Sequence, residues 1–245
     1  MRKEKFTEGN YIHVYNRGNR KEDIVRDTKD KWRFMQALRF FNDSHTSAHL
    51  FRVLSRSKPG FDQTVFDQKE SVFEMGWPPN WPERDPLVKI LCYCLVPNHF
   101  HLLLKEIREG GIAKFMHKLG LGYGKYFNLK YNEVGRIFQG PYKAKLVDKD
   151  VYLKHLCVYI QALNVLELFP GGFEAALRNF NEAMKFLDSY LFSSHLDYIG
   201  LRNSLIIDRD ILNEFFPKPE DYKKFVYDSI SAKDFKNILE DLKLE

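Results

Sequence analysis

The sequence predicts an α+β fold: an antiparallel sheet covered on one face by helices, followed by a helical C-terminal stretch. Three observations predict it. Segments of β and α character alternate as strand, helix, two strands, helix, strand, helix. Two apolar runs, Leu87 to Val96 and His99 to Glu106, flank a Pro97-Asn98 turn signal, as in a tight hairpin. Apolar residues recur at helical spacing between the strands, with Trp32, Met35, Leu38 and Phe41 near one face of Asp27 to Asn42.

The elements follow in order. Tyr11 to Arg17 is rich in β-favouring residues and ends in a turn at Gly18. Ser44 to Pro86 has no clean period and carries Pro59, Pro78, Pro79 and Pro82, so it reads as a long insertion. Gly111 to Tyr131 reads as helix despite Gly120, Gly122 and Gly124. Gly135 to Val147 is extended, with a break at Gly140-Pro141. Asp148 to Leu168 is a strong helix that stops before Pro170-Gly171-Gly172. Phe173 to about Leu191 reads as one long helix with Phe173, Ala176, Phe180, Ala183 and Leu187 as its core stripe, and two shorter helices are expected after it. The expected organisation is residues 1–168 as one unit, interrupted at about 44–86, and residues 169–245 as a helical extension.

The 245 residues are 44% hydrophobic and include 21 Phe and 13 Tyr, enough for a sizeable core and unlike a disordered chain. The net charge of +5 permits a polyanionic partner without demanding one. Met1 to Thr7 is charged, so no signal peptide is expected, and no apolar run reaches membrane-spanning length. Cys92, Cys94 and Cys157 form no CxxC pair. A reduced, cytoplasmic protein without a membrane partner is the expectation.

His99-Phe100-His101 is the centre of the chemistry. On a strand, residues i and i+2 share a face, so both imidazoles point one way while Phe100, Leu102 and Leu104 point the other. Two neighbouring imidazoles can share a divalent ion. A His-x-His in a chain with eight histidines is a weak signal alone. Its position at the head of an apolar strand, just after a Pro-Asn turn, strengthens it. Tyr159 lies on the strongest helix of the second half and could serve as a nucleophile once a metal polarises a phosphate.

Leu95-Val96-Pro97-Asn98-His99-Phe100-His101-Leu102-Leu103-Leu104 resembles the signature of the single-tyrosine transposases of the histidine-hydrophobe-histidine (HUH) superfamily, in particular the REP-associated tyrosine transposases. Further segments are similar in the same order. These are Asn16-Arg17-Gly18, Phe115 to Leu119 with Tyr123 and Tyr126-Phe127-Asn128, Gly135 to Gly140 with Tyr142-Lys143-Ala144, Asp150 to Leu168, and Tyr190 to Gly200 with Ser193-Ser194. The resemblance spans about Tyr11 to Phe225, outside the insertion. It implies a ferredoxin-like (RRM-like) domain, Mg²⁺ or Mn²⁺ on His99 and His101, and Tyr159 attacking a DNA phosphodiester. The expected products are a 5′-phosphotyrosine link and a free 3′-hydroxyl. Single-stranded or hairpin DNA is the implied partner, and relatives include monomers and homodimers.

One departure matters. The family places an Asn or Gln four residues after the tyrosine as third ligand; here position 163 is Leu, and the amide is Asn164, at i+5. A regular helix would turn Asn164 away from Tyr159. A π-bulge absorbs one residue and returns i+5 to that face, so a bulge between Tyr159 and Asn164 is expected. Gln161, at i+2, is a poorer candidate. Basic residues on three elements form an expected DNA track: Arg17, Arg20 and Lys21, then Lys118, Lys125 and Lys130, then Arg136, Lys143 and Lys145, with Tyr142 and Phe138 as stacking surfaces. Two other readings stay open. One is a non-catalytic nucleic-acid-binding module on the same fold. The other is a two-histidine phosphoesterase, although His45-Thr46-Ser47 is a lone match to its paired motif.

Overall fold

The computed structural model describes residues 6–47, 73, 76, 77 and 81–231. Most of the expected insertion lies outside the described residues. Four antiparallel strands, β1 (Tyr11–Arg17), β2 (Val88–Val96), β3 (His99–Glu106) and β4 (Lys143–Val147), form one sheet in the order β2-β3-β1-β4. Helix α1 (Thr28–Phe41) links β1 to β2, and α2 (Gly111–Tyr131) links β3 to β4. This is the βαββαβ arrangement of ferredoxin-like domains.

Local chemistry explains the boundaries. Asp27 caps α1 by accepting from the Asp30 amide at 2.9 Å, and the Asp30 carboxylate reaches back to the Asp27 amide. Asn42 leaves α1 and fastens it to β2: its Oδ1 accepts from the Leu87 and Val88 amides, and its Nδ2 donates to the Val88 carbonyl. The Ser44 amide donates to the Asp85 carbonyl at 2.8 Å, and Phe73 from the stretch between them is buried against Trp32. Pro97 and Asn98 alone join β2 to β3, with Val96 opposite His99. Gly18 sits at φ −59°, which any residue adopts; it is required because a Cβ there would lie 1.9 Å from the Glu22 carbonyl oxygen.

The sheet has a core on each side. On one, Ile12, Val14, Phe100, Leu102 and Leu104 pack against α1 and α2 through Phe34, Leu38, Phe115 and Tyr123. The one-face layering read from the sequence holds for these two helices. The other face carries Cys92, Cys94, Val96 and Leu103, covered by α3 (Asp150–Val158) and by residues of the helical extension including Ala176, Leu187, Tyr198 and Tyr222. Leu91 makes this possible: a β-bulge between Ile90 and Cys92 puts Leu91 and Cys92 on the same side.

The extension comprises α4 (Gly172–Arg178), α5 (Phe180–Ser189), α6 (His195–Tyr198), α7 (Leu212–Phe215) and α8 (Pro219–Ser231). The single helix expected from Phe173 to Leu191 is thus two. Asn179 breaks it at φ −117°, ψ 50°, where both its backbone amide and its Nδ2 bond the Ala175 carbonyl. The expected stripe still faces the core, with Ala176, Ala183 and Leu187 buried. Between α5 and α6 the chain runs along the free edge of β2. The Leu95 amide donates to Phe192 O and the Ser194 amide to Tyr93 O, so this edge is paired.

Asp210 ties the extension to the sheet. Its carboxylate, 12% exposed, accepts from Tyr11 Oη at 2.6 Å and from Lys89 and Lys105 Nζ at 2.8 Å each. Burial works to raise its pKa, but bonds from Lys105, Lys89 and Tyr11 outweigh that and hold it well below the usual carboxylate range. A depressed folded pKa gives stability present above the unfolded value, near 4, and lost as pH falls through the folded value. Asp210→Asn should therefore cost about 1–3 kcal/mol at pH 7. In urea unfolding, the gap from wild type should narrow as the pH drops below about 4; an equal gap at pH 7 and pH 3 would contradict this.

Candidate functional site

The site forms at the β1–β3 centre of the sheet, under the C-terminal end of α3. Strand register builds it. His99 pairs with Arg17 on β1 and Val96 on β2; His101 pairs with Tyr15 and Cys94. Directly opposed residues share a face, so Arg17, Tyr15 and His13 stand on the face of the two histidines, and β4 adds Lys143 and Lys145 opposite Tyr15 and His13.

Helix α3 widens over the site. Tyr159–Leu163 is a π-helical turn, followed by the closing turn Asn164–Leu166. The Asn164 amide bonds Tyr159 O, the i−5 pattern of a π turn. Side chains add hydrogen bonds to the carbonyls of the widened turn. Asn164 Nδ2 donates to Tyr159 O at 2.8 Å, and Ser193 Oγ donates to Gln161 O at 2.8 Å. Gln161 points away from the histidines: its Oε1 accepts from Ser194 Oγ, and its Nε2 faces Cys157 Sγ. The expected bulge is present, and it brings Asn164 Oδ1 to 3.2 Å from His99 Nε2.

The ring of Tyr159 stands edge-on to His101 with centroids 5.3 Å apart, and the His99 and His101 centroids are 5.2 Å apart. The structure therefore gathers His99, His101, Tyr159 and Asn164 in one place. Sequence reasoning missed two neighbours. His13 is fully buried, with Nε2 2.8 Å from His101 Nδ1; Tyr15 stacks on His101 at 5.4 Å with an interplanar angle of 13°. Strand alternation from Arg17 could have put both on one face of β1, but matching that face to the histidines needs the register.

Electrostatically the site is a set of neutral rings. Burial lowers the pKa of His99, opposed by the Asn164 bond and aided by Arg17. Burial, then His13, His99 and Arg17, take His101 well below the ordinary value. Burial and then Lys145 pull His13 to about 3. Burial raises the Tyr159 phenol, with Glu167 adding to it.

A neutral His99 carries one N–H, yet both its nitrogens face amide oxygens: Nδ1 lies 2.6 Å from Asn98 Oδ1, and Nε2 faces Asn164 Oδ1. Neither amide is free to flip without loss, because Asn98 Nδ2 donates to Lys21 O and Asn164 Nδ2 to Tyr159 O. With the proton on Nδ1, lone pairs on Nε2 and Asn164 Oδ1 face each other. That is a repulsive contact which a cation between them would turn into attraction. Adjacent ligands of an octahedral ion at about 2.1 Å stand roughly 3 Å apart, near the observed separation. The donor set thus fits a divalent ion. Among the described residues, no group of three or more His, Cys, Asp and Glu is placed to hold a metal. An ion here would rest on two imidazoles and an amide, which leave its charge unneutralised.

The expected DNA track divides. Arg17, Lys143 and Lys145 stand on the histidine face, the Lys143 ammonium 5.7 Å from the Tyr15 ring centroid. Arg20 is exposed beyond β1 at φ 53°. Lys125 and Arg136 line a separate groove of 660 Å³ between α2 and the segment before β4. Lys118 is corrected: it is 7% exposed, and its Nζ donates to the Asp43 carbonyl beneath α2, so it is no part of a basic surface. Lys130 is held by Asp27 and Asp30. Tyr142 and Phe138 are half-buried against the α1–α2 core, and Phe138 lines the groove that holds Lys125 and Arg136. Tyr15 is the aromatic ring on the histidine face beside Tyr159.

No helix among the described residues is long and apolar enough to cross a membrane. No curated protein matches the sequence significantly. A solved structure, described as that of the REP-associated tyrosine transposase bound to a REP hairpin, aligns over 84% of this chain and 88% of its own. Its TM-score is 0.40 and its identity 11%. Residues 83–162 match the family model described as "Transposase IS200 like", a span that includes His99, His101 and Tyr159 and stops short of Asn164. Over that third of its length, the chain is similar to the IS200-like transposases.

Proposed function

We propose that this chain is a metal-dependent, tyrosine-based single-strand DNA nickase and strand transferase acting at hairpin-forming DNA. The observation that carries this reading is the π turn, which sets Asn164 Oδ1 3.2 Å from His99 Nε2 while keeping Tyr159 edge-on to His101. His99, His101 and Asn164 would hold Mg²⁺ or Mn²⁺. When bound, such an ion supplies Lewis-acid polarisation of the scissile phosphate.

The chain's own residues do the rest. Arg17, Lys143 and Lys145 offer positive charge to DNA phosphates on the histidine face, and Tyr15 offers a ring for base stacking. The Tyr159 oxygen bonds phosphorus as the bond to the 3′ oxygen breaks. The phenol loses its proton and the leaving 3′ oxygen gains one, giving a 5′-phosphotyrosyl ester and a 3′-hydroxyl. The phosphoester energy is conserved, so the reverse reaction rejoins strands.

The test is covalent capture. The protein is incubated with Mg²⁺ or Mn²⁺ and single-stranded oligonucleotides that carry a hairpin and flanking bases, then run on a denaturing gel. A metal-dependent protein–DNA adduct is the expected result. A shifted complex on a native gel without any adduct would mark a binding module. Cleavage without an adduct would mark a two-histidine phosphoesterase.

A further inference from the structure

We infer that His13 is a positioning residue for the site: it accepts the Nδ1 proton of His101, which frees the His101 Nε2 lone pair to ligate an ion. This rests on the metal-dependent reading above and adds a residue to it.

The contact between the rings is direct. His13 Nε2 lies 2.8 Å from His101 Nδ1, the centroids are 5.1 Å apart, and the planes meet at 26°. Two ring nitrogens at hydrogen-bond distance share one proton, so two arrangements are possible. In one, His13 Nε2–H donates to His101 Nδ1; His101 then carries its own N–H on Nε2 and has no lone pair there. In the other, His101 Nδ1–H donates to His13 Nε2, and His101 Nε2 is a lone pair. Only the second allows His101 to act as a ligand through Nε2, because Nδ1 is occupied by His13. The tautomers of the two rings are therefore coupled: a ligating His101 requires an acceptor at His13 Nε2.

His13 Nδ1 is buried without a hydrogen-bond partner. The ligating arrangement places the His13 proton there, a cost that the ion–His101 bond has to offset. The role proposed for His13 uses only its Nε2 acceptor. Asn98 plays the matching part for His99, taking its Nδ1–H at 2.6 Å. Both histidines then follow one rule: the nitrogen away from the ion donates to a fixed acceptor, which sets the tautomer.

The test compares Mn²⁺ affinity, by titration of the free-ion EPR signal, in wild type, His13→Leu and His13→Gln. Leu removes the acceptor, and affinity should fall about ten- to a hundredfold. Gln can place its Oε1 near the position of the lost Nε2, and affinity should stay within about threefold of wild type. Imidazole ¹⁵N NMR with Mg²⁺ added should show the His101 proton on Nδ1 in wild type and in His13→Gln, which settles the matter if the Leu variant does not fold. A His101 proton on Nε2 in the Mg²⁺-loaded wild type, or unchanged Mn²⁺ affinity in a folded His13→Leu, would overturn the inference. Absence of Mn²⁺ binding by wild type would overturn it together with the metal-dependent reading. Intact, His13-dependent Mn²⁺ binding without any DNA adduct would overturn the nickase reading alone.

Discussion

Tyr159→Phe should abolish covalent capture of DNA, a loss of at least about a thousandfold in adduct yield per unit time, while hairpin affinity on native gels stays within about threefold. The substitution deletes one oxygen and keeps the ring that packs edge-on against His101. Nothing else at the site needs to move, so a loss of capture reports on the hydroxyl. Burial raises the pKa of that phenol, so it is a poor nucleophile unaided. Its reactivity has to come from charge stabilisation at the phosphate, which is why capture should also vanish on chelation. An adduct that persists in Tyr159→Phe would shift the nucleophile elsewhere. Tyr152 is the first alternative, since its hydroxyl is buried without a hydrogen-bond partner and its ring lies 5.1 Å from the Lys145 ammonium.

The second large effect is expected at Asn164. Asn164→Ala removes the amide oxygen facing His99 and also the Nδ2 that satisfies Tyr159 O inside the π turn. Mn²⁺ affinity should fall about tenfold or more; Tyr159 O keeps the Asn164 backbone amide as a partner, so the lost side-chain bond should cost only about 0.5–1.5 kcal/mol of stability. Moving the amide to i+4, by Leu163→Asn with Asn164→Leu, should not restore binding. Leu163 is 2% exposed within the core over Cys92 and Leu103, so an Asn there would be buried away from His99. Restored affinity in that double variant would mean the helix relaxes to a regular α turn. It would also mean that the locks from Ser193 and Ser194 on Gln161 do not hold the widened form.

How much of this was legible depends on range. Strand alternation alone placed His99 and His101 together and Phe100 opposite. The resemblance, which implies an amide ligand on the Tyr159 face, together with the i+5 position of Asn164, was enough to expect a π turn, because a widened helix returns that residue to the Tyr159 face. What holds the turn open was not legible: Ser193 and Ser194 act from a segment about thirty residues later in the chain, through hydrogen bonds to Gln161. His13 escaped notice for a similar reason. Its place on β1 is a local matter, but its meeting with His101 depends on how β1 pairs with β3. Lys118 misled because a lysine on a helix usually reaches solvent, whereas here it lies under α2 with an acceptor at Asp43. The break at Asn179 hid inside an unbroken apolar stripe, since α4 and α5 both keep that stripe on the core.

Convergence around a cation is tested most directly by an anomalous difference map from crystals soaked in Mn²⁺. The expected result is one strong peak about 2.0–2.3 Å from His99 Nε2, His101 Nε2 and Asn164 Oδ1, with the Tyr159 hydroxyl facing the same space. A map without density there at saturating Mn²⁺, or with Mn²⁺ bound only at carboxylates elsewhere on the surface, would contradict it.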